Sequence, residues 1–163
     1  YEKFGGRVRF VLVAVREGHP GSSVPQPQTL EEKIEHAKML RDLHGHRFEV
    51  AADDVDGTLH RALSPKPNSA YILGKDGTIL FRAHWASDKN GLAKALADVA
   101  DGKAPRRTQS RGTMAAMMQM VRYLPATLDR AGKGAWRDMW TGMPPIAMAG
   151  TAVKVMGLTR RKR

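Results

Sequence analysis

A chain of 163 residues, 42% of them hydrophobic, is long enough for one domain with a substantial appendage or for two small domains. It contains no cysteine, which excludes a disulfide framework, a zinc–thiolate site and a thiol nucleophile among these residues. The formal net charge is +11, and the sequence contains no run of about 18 uncharged apolar residues that would predict a membrane-spanning helix.

The positive charge is concentrated in the last third of the chain. Residues 1–103 hold 15 Lys and Arg against 14 Asp and Glu, whereas residues 104–163 hold 12 against 2. Eight of the nine methionines also lie in the second part. We therefore predict an evenly charged domain over residues 1–103 and a basic, methionine-rich helical tail over residues 104–163.

The first predicted elements are a strand, a loop and a helix. Arg7 to Val15 is a nearly continuous apolar run, typical of a parallel strand covered on both faces, and a loop follows from Arg16 to Gln28. Thr29 with Glu32 three residues later forms a capping box, and Gly45 suits the end of the helix that it opens. The apolar residues at helical spacing predict one buried stripe: Leu30, Ile34, Ala37, Leu40 and Leu43.

A strand, an acidic turn and a short helix are predicted next, over residues 48–52, 53–57 and 58–63. Asp76-Gly77 between two apolar runs indicates an antiparallel hairpin of Ala70–Leu73 with Thr78–Phe81. An amphipathic helix then ends at Gly102. The order β–α–β–(short α)–β–β–α predicts a mixed sheet with helices on its faces.

Four segments in this order resemble the iodothyronine deiodinase-like redoxins, a branch of the thioredoxin-like superfamily. They are the strand and Glu-Gly-His loop of Val13 to His19, the helix Thr29 to Leu43, the strand and acidic turn of Val50 to Asp56, and the Pro-x-x-x-Tyr hairpin of Pro67 to Gly77. The resemblance covers roughly residues 1–101. It implies an α/β chain with a thioredoxin-like three-layer fold and a mixed sheet, incomplete at its N-terminus, plus a C-terminal helical extension.

The resemblance also implies an oxidoreductase in which a cysteine or selenocysteine attacks a peroxide, a disulfide or a halogenated substrate. Residues 1–4 would be the end of the helix that carries this nucleophile, so the nucleophile would lie upstream of Tyr1 and this chain would be inactive by itself. Glu17 and His19 would take supporting catalytic roles, in which they tune the nucleophile and move protons. No cofactor is implied, and the reductant is left open.

Two further residues are candidates for substrate binding. Pro67 matches the proline that precedes a hairpin strand in thioredoxin-like proteins and is usually cis in them, which predicts a cis peptide bond at Ser64–Pro65 or Lys66–Pro67. Trp85 follows the last strand and either covers the edge of the site or packs in the core.

Metal binding is not predicted. His44 and His46 flank the end of a helix with no third ligand nearby, and cationic histidine is favourable at that position without a metal. An EF-hand loop that begins at Asp54 would place Pro65 where a glutamate is required. The acidic cluster is therefore predicted to start a helix.

Three interpretations of residues 104–163 stay open. The tail is a helical extension that wraps its own domain, a docking module for a protein partner, or an in-plane contact with an anionic membrane surface. Nucleic acid is disfavoured because no aromatic residues alternate with the basic ones on a strand surface. The alternative to the redoxin is thus a non-catalytic thioredoxin-fold interaction protein that docks a partner or membrane through its tail. These alternatives favour the cytoplasm or a membrane periphery.

Overall fold

The computed structural model describes residues 1–63, 68–110 and 114–158. These residues form a mixed α/β chain, so the predicted class is confirmed, while the thioredoxin-like arrangement stays a prediction. In chain order the elements are β1 (Val11–Ala14), α1 (Leu30–His44), β2 (Glu49–Ala52), α2 (Thr58–Leu63), β3 (Ala70–Leu73), β4 (Ile79–Ala83), α3 (Lys89–Ala100), β5 (Gln109–Ser110), α4 (Met114–Met120), α5 (Leu124–Ala131), α6 (Ala135–Gly142) and α7 (Pro144–Val155).

Two compact units make up the chain, and each combines two parts of the sequence. The first unit comprises residues 1–10 and 66–119, and the second unit comprises residues 11–65 and 120–163. The boundary proposed between residues 103 and 104 stays a prediction.

The second unit begins with the parallel strands β1 and β2. Their register runs from Val11 opposite Glu49 to Ala14 opposite Ala52, so the first strand is a parallel strand, as predicted. The prediction that the first strand is covered on both faces was wrong at its start, because Val11 is exposed. The strand is also shorter than the predicted run of Arg7 to Val15. Phe10 and the residues before it belong to the first unit.

Helix α1 has the predicted ends. The Thr29 hydroxyl accepts a hydrogen bond from the Glu32 amide at 3.2 Å, and the Glu32 carboxylate accepts one from the Gln28 amide at 2.7 Å. Gly45 ends the helix in the left-handed region with φ of 60°, where glycine is least strained. Together these contacts satisfy backbone groups that the helix leaves open at both ends.

The buried face of α1 differs from the predicted stripe. Ala37 is buried as expected, but Leu30, Ile34 and Leu43 are exposed, and Lys33 is only 3% exposed. The Lys33 ammonium donates to the backbone carbonyl of Asp54, so its aliphatic stem occupies the centre of the buried face. Hydrophobic spacing misplaces the stripe because it treats every lysine as a surface residue.

An acidic turn connects β2 to α2, as predicted. Asp53 is 5% exposed, and its carboxylate accepts hydrogen bonds from the amides of Asp54, Leu59 and His60 at 2.9–3.0 Å. Asp54 accepts one from the Thr58 amide at 2.9 Å. Carboxylates at a helix N-terminus satisfy its open amides and interact favourably with the helix dipole.

The first unit contains the predicted hairpin. Strands β3 and β4 pair antiparallel across the turn at Gly74 to Gly77, with Ala70 opposite Ala83. Helix α3 packs on this hairpin, and the buried core consists of Ile72, Phe81, Ala83 and Ala95. Residues 1–5 form a single hydrogen-bonded turn, in which the Gly5 amide donates to the Tyr1 carbonyl at 2.7 Å. This is the hydrogen bond of an α-helical turn, and the prediction that residues 1–4 end a longer helix stays a prediction.

The strands of the described chain form two sheets, whereas the sequence predicts one. One sheet has the order β1-β2 and the other β3-β4-β5. Within the segment predicted as a helical tail lies β5, which pairs parallel to β4 through Arg82 opposite Gln109. Both edges of β4 are therefore paired inside its own sheet. The residues of a turn indicate that the two strands they connect pair with each other, but they carry no information on partners far away in the sequence.

Residues 120–158 form three helices, α5 to α7, with a common core. Pro125 lies in the first turn of α5, a position where its missing amide costs nothing. The buried side chains that the three helices share include Leu128, Met139 and Ile146. The three helices therefore pack on one another, and the three interpretations of residues 104–163 stay predictions.

Candidate functional site

The candidate site lies where the parallel strands β1 and β2 end. The loop of residues 16–28 follows β1, and the acidic turn follows β2. The Asp53 amide donates to the Ala14 carbonyl at 2.9 Å, so both strands end at one edge of the sheet. In α/β proteins, ligands bind at the carboxyl ends of parallel strands.

Glu17 and His36 form the most enclosed titratable pair at this edge. The Glu17 Oε1 atom lies 3.1 Å from His36 Nδ1, and the two side chains are 31% and 11% exposed. Glu17 comes from the loop after β1, and His36 from the buried side of α1. A carboxylate beside an imidazole fixes the ring orientation, and both groups can exchange protons. The pair can therefore accept a proton from a group bound at the edge and return it.

His19 takes its partner from the tail. Its Nδ1 atom lies 2.7 Å from Asp138 Oδ2, with side chains 26% and 51% exposed. Asp138 occupies the first turn of α6, where a carboxylate is favourable. Residues 119 positions apart in the chain thus meet in the second unit, and α6 contributes a side chain to the loop that the sequence proposed as catalytic.

Backbone hydrogen bonds join the same loop to α5. The amides of Ser23 and Val24 donate to the Ala131 carbonyl at 2.9 and 3.2 Å. The Ser22 amide donates to the Lys133 carbonyl at 2.9 Å, and the Lys133 amide donates to the Ser22 hydroxyl at 3.0 Å. The loop after β1 therefore caps the C-terminal end of α5 and satisfies carbonyls that the helix leaves open.

Two buried charged side chains, Lys33 and Asp53, hold the backbone at the edge of the site. Lys33 holds the Asp54 carbonyl, and Asp53 holds three amides of the α2 turn, so both side chains fix the acidic turn. Hydrogen bonds from the Thr58 side chain and then from the Thr58 amide hold the pKa of Asp54 below its ordinary value. These groups position the edge of the site.

The predicted site residues are only partly brought together. Glu17 and His19 share one loop, but each pairs with a different residue, His36 and Asp138. Trp85 is half-buried in the first unit, where its carbonyl accepts from the Asp88 amide at 3.0 Å. Pro67 and both predicted cis peptide bonds lie outside the described residues.

His36 and Asp138 were missed by the sequence analysis. His36 lies on the buried side of α1 next to Ala37, and a histidine on a buried helix face is the signal that could have indicated it. Asp138 carries no such signal, because its partner is far away in the sequence. The capping of α5 by the loop after β1 was not predicted either, because the two segments are far apart in the sequence.

The described part of the chain contains no group of three or more His, Asp or Glu residues that could hold a metal ion. His44 and His46 lie side by side, with ring centroids 5.6 Å apart. None of the described helices has the length and apolar character needed to cross a bilayer.

Comparison of the chain with models of protein families, with curated proteins and with solved structures finds no match.

Proposed function

We propose that this chain is the supporting part of a thioredoxin-like redoxin of the deiodinase-like type. The observation that carries the proposal is the Glu17–His36 pair at the carboxyl ends of two parallel strands. The order of β1, loop, α1, β2 and acidic turn supports it, since these elements occur in the second unit in the sequence order that the resemblance implies. The nucleophile is a cysteine or selenocysteine outside these residues, because none of the 163 is a cysteine.

The proposed chemistry is attack by a thiolate or selenolate on a peroxide, a disulfide or a carbon–halogen compound. With a peroxide, the sulfur or selenium forms a bond to one oxygen while the O–O bond breaks. The nucleophile is oxidised to a sulfenic or selenenic acid, and the peroxide is reduced to an alcohol or water. The leaving oxygen needs one proton, which the thiol or selenol gave up on ionisation. The Glu17–His36 pair is suited to hold that proton between the two events.

His19 has a second role in this proposal. Its ring is fixed by Asp138 and more exposed than that of His36, so it is suited to interact with the substrate or with the nucleophile. An imidazolium near a thiol lowers the pKa of that thiol and raises the fraction present as the reactive thiolate.

The first test is to identify the residues encoded directly before Tyr1. The expected result is a strand followed by Cys-x-x-Cys, or by Cys or selenocysteine followed by Pro, since both place the nucleophile at the start of a helix. An ordinary helix without these residues would contradict the proposal. So would turnover of peroxide or disulfide by the 163 residues alone.

A longer chain that includes the residues encoded before Tyr1 tests the role of the Glu17–His36 pair. We expect Glu17→Gln and His36→Gln each to lower kcat/KM for peroxide by about 10²-fold, the lower end of the contribution of general acid–base groups. Glu35→Gln is the matched control, because Glu35 is exposed and pairs with Lys38 on the same helix as His36. Equal activity of Glu17→Gln and Glu35→Gln, with unchanged unfolding temperatures, would remove the pair from the mechanism.

A further inference from the structure

Helix α7 is apolar around most of its circumference. Its sequence, PPIAMAGTAVKV, contains one charged residue, Lys154. The helix has 12 residues and is therefore about 18 Å long, well below the roughly 30 Å of a bilayer's hydrocarbon core.

The inner side of α7 is buried within the second unit. Ile146, Ala147 and Gly150 are buried, and a Cβ at Gly150 would lie 3.3 Å from Leu124 and 3.7 Å from the Trp136 ring. The space beside Gly150 is thus already filled by its neighbours. This side of the helix is part of the core.

The side chain of Lys154 contacts other residues of the second unit. Its ammonium lies 2.6 Å from the Asp129 carboxylate and 5.4 Å from the centre of the Trp136 ring. The only charged residue of α7 thus points to groups of α5 and α6, and the rest of the helix surface carries no charge.

The outer side of α7 exposes large apolar side chains. Met148, Val155 and Met156 are 63%, 82% and 61% exposed. Their spacing of seven and eight residues places them on one side of a helix. Leu158, two residues further on, is exposed as well. Several large apolar side chains exposed on one side of a helix indicate a binding surface.

Charge decides which partner fits this surface. The sequence continues from Leu158 through Thr159 into four consecutive basic residues, Arg160 to Arg163. The two acidic side chains of residues 104–163 are Asp129, which pairs with the Lys154 ammonium, and Asp138, which lies 2.7 Å from the His19 ring. Residues 104–163 therefore carry excess positive charge in addition to the apolar helix face, and a partner that uses both is anionic and accepts apolar side chains.

An anionic lipid surface meets both requirements. Basic residues next to an apolar helix face bind acidic headgroups while the apolar side chains enter the boundary with the acyl chains. A second copy of the chain would bring two strongly basic tails together, which is unfavourable. Nucleic acid would neutralise the charge but would leave the methionine and valine side chains in water.

We propose that the outer face of α7 together with its C-cap, defined by Met148, Val155 and Met156, docks in the plane of an anionic membrane surface. This proposal is independent of the redox function, because it uses no residue of the candidate site.

The experiment is flotation of the 163-residue chain with vesicles of phosphatidylcholine, with or without about 25% phosphatidylserine, an anionic lipid of cytoplasmic leaflets. We expect flotation with the anionic vesicles and at least about tenfold less with the neutral ones or at high salt. The double variant Met148→Glu/Met156→Glu should reduce binding to anionic vesicles by about tenfold or more. Met118→Glu is the matched control, because Met118 is also an exposed methionine of the tail, on α4, and it should bind as the unchanged chain does.

Three results would overturn the proposal. They are no flotation with anionic vesicles, equal flotation of the double variant and the control, and sedimentation as a dimer that the double variant converts to a monomer. The last would assign the face to contact between copies. Circular dichroism of both variants checks that they fold. Intact folding is expected, because every substituted residue is exposed. No redox activity is measured, so the outcome is separate from that of the redoxin proposal.

Discussion

Gly21 shows how closely the loop after β1 approaches α5. A Cβ at this position would lie 2.3 Å from the Ala131 carbonyl oxygen and 2.8 Å from the carbonyl carbon, and such distances do not occur in real structures. The obstacle is backbone at the end of a helix, so it cannot move aside as the tip of a side chain can. Glycine is required here by space, since its φ is not in the left-handed region.

We therefore expect Gly21→Ala to lower the free energy of unfolding by about 1–3 kcal/mol, the usual cost of forcing atoms into a packed contact. Gly18→Ala in the same loop is the control, because a Cβ there meets nothing within 4 Å. Urea unfolding followed by circular dichroism measures both. A Gly21→Ala chain as stable as Gly18→Ala would mean that the loop does not lie against Ala131.

Among elements, the turn into α2 depends on ionised carboxylates. The pKa of Asp54 is lowered by hydrogen bonds from Thr58. A carboxyl group with a lowered pKa in the folded chain stabilises the fold above its unfolded pKa, about 3.9 for aspartate. That contribution is lost as the pH falls through the folded pKa.

Asp54→Asn should therefore be less stable than the unchanged chain at neutral pH, and the difference should shrink once the pH falls below about 4. Urea midpoints near pH 7 and pH 3 measure this change. Asp56→Asn is the control in the same turn, since among the described residues its carboxylate accepts none of the hydrogen bonds that start α2. A difference for Asp54→Asn that persists undiminished in acid would show that the stabilisation does not depend on the charge.

Elements whose signals are local were predicted well. The caps of α1, the full extent of α2 and the β3–β4 hairpin follow from Thr29, the acidic turn and Asp76-Gly77, because each signal acts within a few residues. Strand β5 was missed since Gln109-Ser110 is neither apolar nor alternating, and only its contact with β4 makes it a strand. The Glu17–His36 and His19–Asp138 pairs depend on tertiary packing, so spacing in the sequence does not indicate them.

In the chain as a whole, the tail supplies most of the core of the second unit. Of the buried hydrophobic residues described in that unit, Ala37 comes from α1 and the others lie within residues 121–147. The first unit also uses the region beyond residue 103, because β5 pairs with β4. Charge and methionine content divide the sequence near residue 103, while the packing of each unit extends across that position.

We expect a chain of residues 1–103 to unfold without the cooperative transition of the full chain, or at a temperature at least about 10 °C lower. It lacks Leu128, Met139 and Ile146, and fully burying such side chains contributes about 1.5–3 kcal/mol each. Thermal unfolding followed by circular dichroism, together with the dispersion of amide resonances, measures the effect. A well-dispersed spectrum and an unchanged midpoint would establish residues 1–103 as an independent domain.

The surroundings of Trp136 give the second unit a built-in optical reporter. The indole donates to Asp129 at 2.8 Å, lies beside Gly150 and faces the Lys154 ammonium, so one ring senses α5, α6 and α7 together. A charged group held near an indole changes its emission, and separation of any of the three helices removes that influence. The fluorescence of Trp136 should therefore follow the assembly of these helices without any added label, and it distinguishes a docked helix α7 from a detached one.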